Sequence, residues 1–296
     1  MAQDLSDPRC RELMLAEALP HVPGGASAIK PVPIPHPAGS RFNHSFMVPT
    51  AAGRFVVRLS PGADAWLATD RSVERQLHAV AAAAGIAPEL IDADPQDRWL
   101  ITRFVEGTPW TPAQFADPRA LMRLGGTLQR LHALAPPAAG RFDLLQALEG
   151  YVRRLEAAGA VAPGALQTQL TQATRRWELS DAAARPPGIL HHDLNASNII
   201  DSPAGVVLLD WECAAVADPL LDVACVLSYY DASRSHASVL LRTCGLEHVS
   251  AAQLEAAVWL FDLHTWLWYR ERRLRLAPSA AELAAEQRLW RRLAPG

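Results

Sequence analysis

Residues 190–212 read LHHDLNASNII, then DSPAG, then VVLLDWE. Two apolar, β-rich runs flank a Pro- and Gly-containing turn, which predicts a tight antiparallel hairpin. Such a hairpin brings the end of the second run, Asp210, back beside Asn198 at the start of the first. A carboxylate at the end of a buried strand costs several kcal/mol unless it is paired, hydrogen-bonded or bound to a metal. Two histidines, two asparagines and the aspartates at 193 and 210 around one hairpin therefore predict a site, and the rest of the fold has to be built around it.

The 296 residues suffice for one large domain or two lobes with a sizeable core. A formal net charge of −3 gives no reason to expect a nucleic-acid partner. The N-terminal MAQDLSDPRC is polar and acidic, unlike a signal peptide, and no run of about 18 apolar residues predicts a membrane span. Cys10, Cys213, Cys225 and Cys244 show no CxxC pairing and no zinc spacing, so they read as reduced, mostly buried thiols of a cytoplasmic protein. The expected partner is a small molecule, with no nucleic acid and no membrane, and the protein a monomer or homodimer. Lys30 is the single lysine.

Along the chain, residues 10–20 read as a short amphipathic helix, and the Pro-rich stretch 30–40 blocks any helix. RFNHSFMV and RFVVRLS, joined by a Gly-containing loop, predict a hairpin; 70–85 predict a helix with Gly85 at its C-terminal end; RWLITRFVEG predicts a strand. Beyond residue 110 helical periods dominate, at 117–135, 142–158, about 164–178, and from 219 onward. The expected class is α+β: a small N-terminal lobe with an antiparallel sheet, residues 1–106, then a larger, mostly helical lobe, 107–296.

The pattern His191-x-Asp193-x-x-x-x-Asn198, followed by Asp210, has a chemical meaning. An Asn oxygen and an Asp carboxylate at one spot are hard ligands suited to Mg²⁺. An aspartate five residues before the Asn can orient a hydroxyl and accept its proton. The arrangement resembles the aminoglycoside phosphotransferase/choline kinase superfamily, which has the protein-kinase-like two-lobe fold. That family writes the loop as H-x-D-x-x-x-x-N and the metal strand as I/L-D-W/F-E, here HHDLNASN and LLDWE. ADPLLDVACV matches a third family segment through Asp218, Pro219 and Asp222. The resemblance implies a catalytic base at Asp193 and Mg²⁺ ligands at Asn198 and Asp210. It implies structural roles for His191, Asp218 and Asp222, with ATP as co-substrate.

The nucleotide end departs from the kinase pattern. Only Gly39 lies near the expected phosphate turn, and the strand position that would hold lysine is Arg58. Arginine can grip phosphate bidentately, with Glu74 as its ion-pair partner. Arg103, Phe104 and Val105 would form the hinge at adenine. On 255–275, Glu255, Trp259, Asp262, Trp266 and Tyr269 fall within an arc of about 80°, a stripe suited to a cationic acceptor; core packing is the competing reading. Glu212 joins that acceptor set. Seven arginines against three glutamates over 270–292 read as a solvated basic face that argues against a polycationic aminoglycoside. Within the family the closest resemblance is to thiamine kinase-like proteins. Choline or ethanolamine kinase, aminoglycoside phosphotransferase, and a nucleotide-binding pseudokinase stand as alternatives.

Overall fold

The computed structural model describes residues 5, 7–25, 30–35, 43–60 and 70–294. Gly39, the one glycine expected near the phosphates, lies outside them. By packing, residues 1–113 group with 193–214, and residues 114–192 group with 215–296. The hairpin at 199–208 thus packs with the sheet-bearing unit, whereas the sequence placed it among the helices.

The first unit holds an antiparallel sheet of order β1-β2-β3-β5-β4. Its strands are β1 (Val32–Ile34), β2 (His44–Thr50), β3 (Gly53–Leu59), β4 (Leu90–Ala93) and β5 (Trp99–Arg103). In β3 the alternation is sharp: Phe55, Val57 and Leu59 are fully buried, which points Arg58 to the opposite face. Their partners in that core include Val48, Trp99 and Ile101, with Met14 and Ala18 of α1 (Pro8–Ala18). Burying each large apolar side chain contributes about 1.5–3 kcal/mol. Helix α2 (Arg71–Ala83) starts where Asp70 accepts from the N–H groups of Ser72 and Val73. It stops before Gly85, whose φ of +70° suits glycine. Two strands of this sheet escaped the sequence reading. β1 crosses the Pro-rich stretch at the sheet edge, where Pro33 is tolerated, and β4 is short and bulged between Leu90 and Asp92.

A second sheet in this unit has order β6-β8-β9, from β6 (Thr108–Pro109), β8 (Ile199–Ser202) and β9 (Gly205–Leu208). At Gly107, φ is +154° and a Cβ would stand 2.4 Å from the Asp201 carbonyl oxygen, so only glycine fits there.

The second unit is helical: α3 (Pro118–His132), α4 (Leu144–Ala157), α5 (Gln167–Ser180), α6 (Leu220–Tyr229), α7 (Ala237–Thr243), α8 (Ala251–Arg272) and α9 (Ala280–Leu293). A two-stranded ribbon pairs β7 (Gly188–Leu190) with β10 (Ala215–Ala217). Helices α8 and α9 both begin with a capping box, Ser250/Gln253 and Ser279/Glu282. Cys225 and Cys244 are buried as expected, but Cys213 is exposed. Among the described residues no helix is long and apolar enough to cross a membrane.

Candidate active site

The hairpin pairs Ile199 with Leu208, and the Leu209 N–H donates to the Asn198 carbonyl at 2.8 Å. This is the return predicted from the sequence, and it sets Asp210 beside Asn198. Asp210 then leaves the strand in a left-handed conformation, φ 59° and ψ 78°. A non-glycine residue there carries about 1–3 kcal/mol of strain that its surroundings must hold. Trp211 does the holding: its ring is fully buried and its indole N–H donates to the Leu208 carbonyl at 2.9 Å.

Asp193 is fixed by two amides. Asn198 Nδ2 donates to Oδ2 at 2.9 Å and to the Asp193 carbonyl at 3.0 Å; Asn195 Nδ2 donates to the same Oδ2 at 3.0 Å. With its NH₂ end committed, Asn198 presents its carbonyl oxygen as the amide's ligating end.

Arg58 forks between two carboxylates. One guanidinium nitrogen lies 2.9 Å from Asp210 Oδ1, and the other pairs with Glu74 Oε1. Arg71 Nη1 reaches the second Glu74 oxygen at 2.7 Å and Glu212 Oε2 at 3.2 Å. Asn43 Nδ2 donates to that same Glu212 oxygen at 2.9 Å. Burial opposes charge on Glu74, but Arg58 and Arg71 outweigh it and hold its carboxyl below the usual range. Burial likewise opposes the charge on Arg58, and the carboxylates of Glu74, Asp210 and Glu212 outweigh it. Asp210 goes the other way: burial, then the negative charge of Glu212, push it up to about 8, with Glu74 and Asp193 adding to the rise against Arg58.

Among the described residues four carboxylates (Glu74, Asp193, Asp210, Glu212) therefore gather with two guanidiniums (Arg58, Arg71), a local surplus of negative charge. The donors at Asn198 and Asp210 are hard oxygens, and they fit Mg²⁺. Among the described residues no three His, Cys, Asp or Glu side chains form a metal-holding group. That suits an ion held by one or two protein oxygens together with phosphate oxygens.

The second unit fixes the backbone just before Asp193. Asp222, fully buried, accepts from the His191 and His192 N–H groups at 3.2 and 2.8 Å and pairs with His132 Nε2 at 2.9 Å. Burial opposes its charge, and the His132 bond and the backbone donors keep its pKa low. Asp218 is gripped bidentately by Arg185 at 2.8 and 2.6 Å.

Three expectations change. Trp259 and Trp266 lie in the core of the helical unit, with Leu260, Leu263 and Leu267; Trp266 stacks on Trp290, and Arg176 covers Trp259. Asp262 is 2% exposed and its carboxylate is taken by Ser228 and by Arg292 at 2.8 Å. Glu255 is exposed and Tyr269 half-buried against that core. Trp259, Asp262 and Trp266 are thus core packing and not an acceptor face, because α8 is buried on more than one side. Second, the late arginines are a solvated face only in part: Arg275, Arg288 and Arg291 are exposed, while Arg270 and Arg273 pair with Glu286, and Arg272 with Glu282, which ties α9 to α8. Third, the expected hinge narrows. The Arg103 N–H goes to Glu89 and the Phe104 N–H to Arg54, while the Arg103 guanidinium pairs with Glu89 at 2.6 Å. Those two N–H groups are therefore spent within the protein and are not open donors to adenine. Glu212 is placed within the Arg58–Arg71 network. Arg71, Asn43, His132 and Arg185 were missed by the sequence reading. Of these only Arg71 left a signal, its i,i+3 spacing to Glu74.

A model of the family described as "Phosphotransferase enzyme family" matches residues 34–243. A thiamine kinase of Shigella boydii is 27% identical over 234 residues, covering 77% of this chain and 79% of that one. The crystal structure of the choline kinase LicA from Streptococcus pneumoniae superposes with a TM-score of 0.78 at 14% identity, over 96% of this chain and 99% of that one. A LicA structure in complex with AMP gives 0.72 at 16% identity, over 90% and 91%. These likenesses establish the protein-kinase-like fold.

Proposed function

We propose that this chain, which belongs to the phosphotransferase enzyme family and is a small-molecule kinase, transfers the γ-phosphate of ATP to a hydroxyl of thiamine. The observation that carries the chemistry is the placement of Asp193, its carboxylate held by Asn195 and Asn198 at 3.0 and 2.9 Å. So held, it orients the acceptor hydroxyl and takes its proton as the oxygen attacks phosphorus, with ADP leaving. Asn198 and Asp210 would hold Mg²⁺, which supplies charge neutralisation at the phosphates when bound. Arg58, anchored by Glu74, takes the place of the kinase lysine toward phosphate. Thiamine as acceptor is supported by the 27% identical thiamine kinase. A primary hydroxyl on a cationic body is the matching chemistry.

The test is Mg²⁺-dependent transfer from ATP to thiamine, choline, ethanolamine, homoserine and kanamycin, with Asp193→Asn as control. Thiamine is expected to be phosphorylated, with kcat falling about 10²–10⁴-fold in the variant. Transfer to another acceptor alone would replace thiamine but keep the kinase reading. Nucleotide binding with no transfer to any acceptor, and no ATP hydrolysis sensitive to Asp193→Asn, would make the chain a binder.

A further inference from the structure

Arg71, the first residue of α2, is 6% exposed and meets no expected substrate group. It belongs to a ladder of ion pairs: Asp210, Arg58, Glu74, Arg71, Glu212. Glu74 is the shared rung, giving one carboxylate oxygen to each guanidinium, and it is 2% exposed. Glu212 is fixed from two sides, by Arg71 at 3.2 Å and Asn43 at 2.9 Å on the same oxygen. Ser60 Oγ in turn donates to Asn43 Oδ1 at 3.0 Å.

We infer that Arg71 is a positioning residue. It clamps Glu74 and Glu212 so that Arg58 stays aimed when a divalent cation takes Asp210 from it. The inference rests on the reading of Asp210 as a cation ligand. In the ladder Arg58 spends one arm of its fork on Asp210 and the other on Glu74. A cation at Asp210 repels the first arm, and among the described residues Glu74 is then the ion-pair partner left to Arg58. A carboxylate gripped by a second guanidinium cannot rotate after it. Without Arg71, Glu74 and Glu212 both compete for Arg58 and draw it off line. The same deletion adds one unit of negative surplus around Asp210.

The two consequences run in opposite directions, which a merely structural residue would not produce. In nucleotide-free Arg71→Gln protein, Mn²⁺ measured by calorimetry should bind about three- to tenfold tighter. Its kcat for transfer should fall about 10- to 100-fold, the scale of a misplaced positioning group. Arg71→Lys keeps the charge and loses the fork. It should bind Mn²⁺ as the wild type does and recover kcat only in part, which tests the inference even if Arg71→Gln does not fold. Unchanged or weaker Mn²⁺ binding in Arg71→Gln, or wild-type kcat in Arg71→Lys, overturns the inference. Mn²⁺ binding that survives Asp210→Asn overturns the cation-ligand reading and the inference with it. Binding lost in Asp210→Asn but indifferent to Arg71→Gln overturns the inference alone.

Discussion

The two units handle buried charge in opposite ways. In the helical unit every carboxylate of interest is matched: Asp218 by Arg185, Asp222 by His132 and two backbone N–H groups, Asp262 by Arg292 and Ser228. In the sheet-bearing unit Glu74, Asp210 and Glu212 share Arg58 and Arg71 with Asp193 close by, and Asp210 is driven toward its neutral form. Matched charges finish a fold. A surplus of one sign, on a strained backbone, leaves a place for a ligand of the other sign.

The contrast is most exposed to failure at Asp210. Asp210→Asn should lower kcat about 10³-fold, as for lost charge stabilisation at a transferring group, while leaving the melting temperature of the metal-free protein no lower. A carboxylate already pushed up to about 8 gives little to stability in its charged form. A large fall in melting temperature would place Asp210 with the finished pairs. The mirror-image change is Asp218→Asn, which strands the buried Arg185. It should cost about 3–5 kcal/mol of stability in chemical denaturation, and a neutral result would remove the distinction between the units.

A smaller effect concerns acid. His264 stacks on His192 at 5.3 Å beside Phe142 and Phe261, and burial, then His192, lower its pKa from the ordinary 6.5 to about 3. The unfolded chain takes up a proton below pH 6.5 that the folded chain refuses. The stability from neutral His264 is therefore complete above 6.5 and drains as pH falls toward 3. Between pH 6.5 and 5 the loss should be about 2 kcal/mol, and His264→Phe should flatten that slope. The smallest change is Ser279→Ala at the α9 capping box, about 1 kcal/mol in melting experiments.

How far the sequence could be read follows the same division. The hairpin, the Asp193–Asn198 spacing and the Arg58–Glu74 pair were legible because each depends on local periodicity or on a recurring motif. β1 and β4 were not, since an edge strand through Pro33 and a bulged strand of four residues carry little pattern. The α8 stripe misled because helical period fixes which side chains share a face and says nothing of what covers it. Arg71 was invisible as a member of the ladder because Glu212 lies far along the chain and only the fold brings the two together.

The most direct measurement is the melting temperature of nucleotide-free protein with and without excess Mg²⁺, for the wild type and for Asp210→Asn. Saturation at about 10–100 times the dissociation constant should raise the wild-type midpoint by about 2–5 °C and leave the variant unmoved. Equal shifts in both proteins, or none in either, would contradict a carboxylate cluster built to receive the ion.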